Sequence, residues 1–383
     1  MSVYLDYNAS SPIDSRVLEV MIDVYRNNIG NADSRTHYYG EQANIIVEHA
    51  RQQVAQMLNI KPDEVFFTSG ATESNNIAIQ GLREYATQSG RKHIVTTSIE
   101  HKAVLETVKA MQRDGFEVDL VNPDLSGRVD ANRIVERTNS HTLMVSLMHV
   151  NNETGIIQPI EQVGKFCAQN KIYFHIDATQ SCGKLVDELR NALYDMLSFS
   201  AHKIGGPQGV GVLVLRKKHY KLPPVKAVYY GGQQERGIRP GTIPVALVAG
   251  CGKACELSLN EFADNTAKCK TIREAVLKIF VDSGLQFSIN GNPDYCIANT
   301  ISVCIRGVSS EALMVATKNY CAVSNGSACT SKTYSPSYVL QAMGLPEEDI
   351  GSSIRISWGS KTDIGELTVA LTQMLRMAKE MFL

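Results

Sequence analysis

The stretch YDMLSFSAHKIGGPQGVGVLVL, Tyr194–Leu215, decides how this chain reads. It holds two apolar runs of strand length, Tyr194–Ser200 and Gly209–Leu215, joined by a glycine-rich turn that carries Lys203. A run that is apolar on both faces belongs inside a wrapped sheet rather than at a wetted edge. The same pattern recurs upstream. VFFT (Val65–Thr68), HIVTTS (His93–Ser98), FEVDLV (Phe116–Val121), TLMVSLMHV (Thr142–Val150) and IYFHID (Ile172–Asp177) are all short apolar runs. Amphipathic segments of helical length separate them, among them EHKAVLETVKAMQRDG, which closes at Gly115. Seven buried strands alternating with helices predict an α/β fold with a mainly parallel seven-stranded sheet flanked by helices on both faces.

After Thr242 the character changes. Helical stretches over Ile243–Asn260 and Asp264–Ser283 lead to the strand NTISVCIR, a helix over Ser309–Asn319 and a Ser/Gly-rich loop over Asn325–Ser335. The strand SSIRISW and a terminal helix from Asp363 complete a smaller α+β unit. The expected division is a large domain over residues 16–255 and a small domain from 1–15 with 256–383. Two domains suit a chain of 383 residues, and 44% apolar with 20% charged residues allows a sizeable core.

Composition also narrows the partners. A net charge of −1 with no block of like charge argues against nucleic acid or a membrane surface. No apolar run reaches spanning length, and MSVYLDYNASS lacks the regions of a signal peptide. The nine cysteines are scattered, odd in number and without a CxxC pair, so disulfides and a zinc site are not expected. A reducing, cytoplasmic location fits.

In open α/β sheets ligands sit beyond the carboxyl ends of the strands, so the residues that follow each run are the candidates. They include Gly70-Ala71-Thr72 after VFFT, Glu100 and His101 after HIVTTS, and Asn151-Asn152-Glu153 after TLMVSLMHV. Asp177 and Gln180 end IYFHID, and Ser200, His202 and Lys203 follow the run at Tyr194. Each has an ordinary reading beside a chemical one. Lys203 is either a surface lysine or a desolvated amine suited to a Schiff base. Asp177 is a structural carboxylate, or the partner of a protonated ring nitrogen. Gly70-Ala71-Thr72 is a plain helix start, or a phosphate cradle of backbone N–H groups. His101 is a satisfied loop histidine, or a group that stacks on a cofactor ring and moves a proton. Arg355, in an apolar strand, needs an anion, either an internal carboxylate or that of a substrate. Cys329 stands apart from the other cysteines. It lies in SNGSACTSKTYSPS among small polar residues, whereas the others fall in helical or strand patterns, which favours it as a nucleophile.

Taken in order, YLDYNASSP, FTSGATESNN, TSIEHKAV, MHVNNETG, HIDATQS, SFSAHKIGGPQGVG, QERGIRPGT, SNGSACTS and SSIRISWG resemble the cysteine desulfurase family, in its NifS/IscS-like group. The resemblance spans nearly the whole chain and implies a fold type I pyridoxal-phosphate homodimer. By position it implies that Lys203 holds the cofactor, Asp177 faces its pyridine nitrogen, Gln180 bonds its phenolic oxygen and His101 stacks on its ring. Ala71, Thr72, Ser200, His202 and Thr242 are expected at the phosphate, Thr242 from the other subunit, with Asn152 and Arg355 at the substrate carboxylate. Two positions depart from the pattern. Pro240 replaces a small residue and removes an N–H from the loop presenting Thr242, and Gln208 stands where a basic residue is usual.

The implied activity converts L-cysteine to L-alanine. The Lys203 amine takes the α-proton and the Cys329 thiolate attacks the substrate sulfur, with His101 as the group that favours the thiolate. The persulfide on Cys329 then passes to an acceptor protein. An aminotransferase, a selenocysteine lyase and an inactive scaffold are the rival readings. Iron–sulfur clusters, tRNA thiolation and DNA phosphorothioation all stand as destinations of the sulfur.

Overall fold

The computed structural model describes residues 2–326 and 336–381. Its first strand is β1 (Val3–Tyr4). The seven apolar runs become β2 (Val65–Thr68), β3 (His93–Thr97), β4 (Glu117–Val121), β5 (Thr142–Met148), β6 (Tyr173–Asp177), β7 (Met196–Ser200) and β8 (Gly211–Leu215). They form one sheet in the order β2-β8-β7-β6-β5-β3-β4. The pairs from β4 through β7 are parallel, whereas β8 runs antiparallel to both of its neighbours. Direction is not written in composition, so the reversal of β8 is a finding of the structure. The expectation that FEVDLV is buried does not hold. β4 is the edge strand, with Glu117 exposed and Leu120 47% exposed, and its charged side chains suit a sheet border.

Helices cover both faces. The helix Lys102–Arg113 begins at His101, whose ring nitrogen caps it, and buries Val104, Val108 and Met111 along one stripe. The helix Tyr38–Leu58 lies on the other face against the long helix Val245–Ser283. That long helix corrects the two-part reading of the sequence. Its 39 residues continue through Glu261–Asp264 without a break. Its first half packs Val248, Cys251 and Cys255 into the core under the large sheet, and its second half packs Cys269, Ile272 and Val276 into a second core. A domain border near residue 255 therefore falls inside one continuous helix.

The second core surrounds an antiparallel sheet in which β10 (Thr300–Ile305) lies between β9 (Phe287–Ile289) and β12 (Ser353–Ser357). β1 pairs in parallel with β11 (Cys321–Ala322), and Leu5 is fully buried in that core. The chain thus starts in the small layer. It then crosses to the large sheet along Asp6–Ser11, where Ser11 N–H donates to the His202 carbonyl at 2.8 Å.

Candidate active site

The carboxyl ends of β2, β3, β5, β6 and β7 open onto one cavity of about 420 Å³. Of the residues named from the sequence, Ala71, Thr72, His101, Asn152, Asp177, Gln180, Ser200, His202, Lys203 and Arg355 all line it. Thr242 is exposed and lies outside it. Cys329 lies outside the described residues.

Each wall has a local cause. β6 ends in Asp177, 4% exposed, where a carboxylate requires partners. One oxygen accepts from Asn75 Nδ2 at 2.8 Å, the other from the Thr179 N–H at 3.0 Å and hydroxyl at 2.5 Å. Among the described residues Asp177 makes no ion pair. Three hydrogen bonds satisfy its dipoles, and its charge remains available to a cation in the cavity. β7 ends in Ser200 and passes into the short turn Ala201–Lys203. The Lys203 amine is half-buried and donates to the carbonyls of Asn8 at 2.6 Å and Ala9 at 2.7 Å. Gln180 Nε2 donates to the same Asn8 carbonyl at 2.9 Å.

The helix Ala71–Gln80 begins directly after β2, so its first N–H groups face the cavity. The Ala71 N–H donates to Ser200 Oγ at 3.3 Å, which ties the helix start to the end of β7. Gly211 allows this approach, because a Cβ there would fall on the backbone of Gly70. His202 completes this wall, with Nδ1 3.2 Å from Ser10 Oγ. Burial, and then the Lys203 amine, lower its pKa to about 4. At neutral pH it therefore meets an anion as an N–H donor rather than as a cation.

His101 accepts the Ala103 N–H on Nδ1 at 3.1 Å, which leaves Nε2 as the free nitrogen. Burial lowers its pKa, Asp177 opposes that shift, and Lys203 and Lys102 reinforce it. The ring is thus held neutral, with its proton on Nε2 as an N–H donor. Arg355 enters from the small layer. Nη2 pairs with Asp6 at 2.6 Å and Nη1 donates to the Asn152 carbonyl at 2.8 Å. Among the described residues its Nε and the Asn152 side-chain oxygen are both buried without a partner. Both readings of Arg355 therefore have a structural basis: an internal carboxylate is present, and an unsatisfied donor remains.

The donor set fits a pyridoxal phosphate. It combines an amine, an unpaired carboxylate for a protonated ring nitrogen, and a helix start with Ser200 and His202 for the phosphate. Reading strand ends missed Asn8, Asp6 and Asn75. Asn75 sits in the second turn of its helix, and its side chain reaches Asp177 only because that helix lies across the sheet. Asn8 and Asp6 arrive from the far end of the chain, and their only trace in the sequence was the motif YLDYNASSP. Glu100 was noted, but not its state. It is fully buried, accepts from the Thr97 hydroxyl at 2.7 Å and the Met148 N–H at 2.9 Å through one oxygen, and has its pKa raised by burial to about 8. The cysteines correct one expectation. Cys182 lies in a turn and Cys296 in an isolated bridge, not in regular helices or strands. Burial pushes both thiols up, and raises Cys167 to about 12.

Comparison with known proteins gives a consistent picture. Residues 3–368 match the family described as Aminotransferase class-V. A cysteine desulfurase IscS from Vesicomyosocius okutanii is 42% identical over 370 residues, covering 96% of this chain and 90% of that protein. The mitochondrial cysteine desulfurase of Saccharomyces cerevisiae is 40% identical over 383 residues, covering 99% and 76%. Among solved structures, a NifS-like protein superposes with a TM-score of 0.91 at 35% identity, covering 99% of this chain and all of that one. SspA in complex with cysteine gives 0.82 at 34% identity, covering 94% and 100%.

Proposed function

This chain belongs to the aminotransferase class-V family and is a pyridoxal-phosphate-dependent cysteine desulfurase of fold type I, and from that premise we propose that Lys203, Asp177, His101 and Cys329 carry its reaction. The observation that supports the first three most directly is their convergence: an amine, a carboxylate buried without an ion pair among the described residues, and a histidine whose Nδ1 is fixed by the Ala103 N–H line a single cavity.

When bound, the cofactor supplies an electron sink for negative charge at the substrate Cα. Around it the side chains divide the work. Asp177 favours a proton on the ring nitrogen. Ala71, Thr72, Ser200 and His202 hold the phosphate, and Gln180 orients the phenolic oxygen. Arg355 and Asn152 fix the substrate carboxylate, so that the α-hydrogen faces the Lys203 amine, which removes it. With Nδ1 accepting the Ala103 N–H, the neutral His101 ring carries its proton on Nε2, from where it can donate to the Cys329 thiolate and favour that form. The Cys329 thiolate forms an S–S bond with the substrate sulfur as the Cβ–S bond breaks. That electron pair stays on Cβ, which takes a proton, and Cα regains one from the Lys203 ammonium, giving L-alanine. Each sulfur is oxidised by one electron and Cβ is reduced by two, so no outside oxidant is required.

The persulfide is then open to a sulfur-acceptor protein. Thr242 lies outside its own cavity, while Arg239 of the same loop pairs with Glu73 beside the helix start at 3.1 Å. This placement supports a two-fold dimer in which Thr242 completes the partner copy's phosphate site. All eight described cysteines are free thiols, which suits a reducing cytoplasm.

Mass spectrometry after one turnover with L-cysteine should place one extra sulfur on Cys329. Cys329→Ser should still bind the cofactor and exchange the substrate α-hydrogen, but should form neither alanine nor persulfide. Sulfur on Cys182 or Cys321, or normal turnover by the serine variant, would overturn the choice of nucleophile.

A further inference from the structure

Glu153 is a buried carboxylate that the reaction above does not use. It follows Asn152 in the turn after β5 and is 3% exposed, and burial raises its pKa. Its contacts run to one place. Oε2 accepts the Ser337 hydroxyl at 2.5 Å. The same carboxylate lies against Gly326 so closely that a Cβ on Gly326 would overlap it, and Gly326 also takes a φ of +79°. Both features call for glycine. Gly326 and Ser337 stand on either side of the segment that contains Cys329.

The neighbouring residues are fastened to the cavity as well. Ser324 and Arg355 exchange backbone hydrogen bonds at 3.1 and 2.5 Å. The Tyr338 hydroxyl donates to the carbonyl of Glu100, next to His101, at 2.8 Å. Both stems of the cysteine-bearing segment are therefore referenced to the turns that carry Asn152, Arg355 and His101.

We propose that Glu153 is a positioning residue for sulfur transfer: a single buried carboxylate that holds one stem of the cysteine-bearing segment by the Ser337 hydroxyl and packs against the other at Gly326, beside the turn holding the substrate. This rests on the reading of Cys329 as the sulfur carrier. The physical reason is reach. An S–S bond forms only when the thiolate lies about 3–3.5 Å from the substrate sulfur and in line with the breaking bond. One stem bonded to the carboxylate and the other packed on it raise the effective concentration of that thiol at the cavity, with no new contact to substrate. Removing the anchor should slow S–S bond formation and leave α-proton removal intact, since the latter needs only Lys203 and the cavity walls.

The test compares Ser337→Ala, Glu153→Ala and Glu153→Gln in the full-length holoenzyme. Two rates are read with L-cysteine: solvent deuterium entering Cα, and persulfide formed in a single turnover. Thermal midpoints confirm folding. In Ser337→Ala and Glu153→Ala persulfide formation should fall roughly 10- to 100-fold while deuterium entry keeps its wild-type rate. Glu153→Gln retains an acceptor oxygen for Ser337 and should recover most of the loss. If Glu153→Ala does not fold, Ser337→Ala alone decides. A folded variant whose two rates are unchanged, or fall together, overturns the proposal, as does a glutamine variant no better than alanine. Cys329→Ser, run in parallel, separates the premises: persulfide formed by that variant refutes the carrier assignment and leaves the Glu153 contacts to be explained otherwise.

Discussion

The cavity receives its groups from two regions built on different terms. On the large sheet, Asp177 and Lys203 stand at or just beyond the ends of parallel strands, and His101 caps a helix that follows one. Their behaviour is set by burial: His101 and His202 are held below the ordinary histidine range, and Glu100 well above the carboxylate range. In the small layer, Arg355 projects from the middle of the antiparallel strand β12 and carries a fixed charge, already half-satisfied by Asp6. One region tunes protonation. The other supplies position and a permanent cation. Chemistry at Cα should therefore depend on the first region, and capture of substrate on the second.

The largest expected effect breaks the first region outright. Lys203→Ala should lose both the adduct that borohydride traps and all alanine formation, while the colourless protein keeps its fold because Lys203 spans no core. Next comes the second region. Arg355→Ala should raise KM for L-cysteine by a factor equivalent to about 2–4 kcal/mol, roughly 30- to 900-fold, with a smaller change in kcat. Asp6→Asn sharpens the contrast. If Arg355 serves the substrate, removing the charge of Asp6 leaves the cation in place and KM changes little. If Arg355 serves only to pair Asp6, both variants should lower the thermal midpoint alike and leave KM alone.

Much of the first region was legible in the sequence, and little of the second. Continuous apolar runs mark six of the seven sheet strands as buried, and a polar residue directly after such a run has few places to point except the crevice. That logic reaches Asp177, His101, Ser200 and Lys203. It does not reach the direction of β8, because a strand reads the same either way. It also misses the exposure of β4, whose FEVDLV pattern alternates weakly and is resolved only by its place at the edge. Nor does that logic show that the helix Val245–Ser283 runs unbroken through Glu261–Asp264, where two carboxylates flank the apolar stripe. In the structure Phe262 of this stretch still packs on the first core, and the helix turns its apolar stripe to the second core from Cys269 onward. Asp6 and Asn8 meet Arg355 and Lys203 across 349 and 195 positions of chain, a separation that no local pattern encodes.

The smallest expected effect lies within the first region and concerns stability more than rate. Glu100 has a folded pKa of about 8, raised by burial, against about 4.3 in an unfolded chain. The folded protein therefore keeps a proton that the unfolded chain releases, and this contribution is complete below pH 4.3. It is lost as pH rises through 8, because ionising the buried acid is resisted. Between pH 6 and 8 the loss amounts to about 2 kcal/mol. Glu100→Gln places a neutral side chain of the same shape there and keeps the backbone carbonyl that accepts Tyr338, so the link to the small layer persists. Denaturant melts at pH 6 and pH 8 should show wild type losing stability and the glutamine variant losing about 2 kcal/mol less. Persulfide formation at pH 7 should be near wild type in both, since Glu100 is already neutral there. Parallel stability curves for the two proteins would mean that Glu100 ionises freely in the fold. A drop in persulfide formation with unchanged stability would instead move Glu100 from the supporting wall into the machinery around His101.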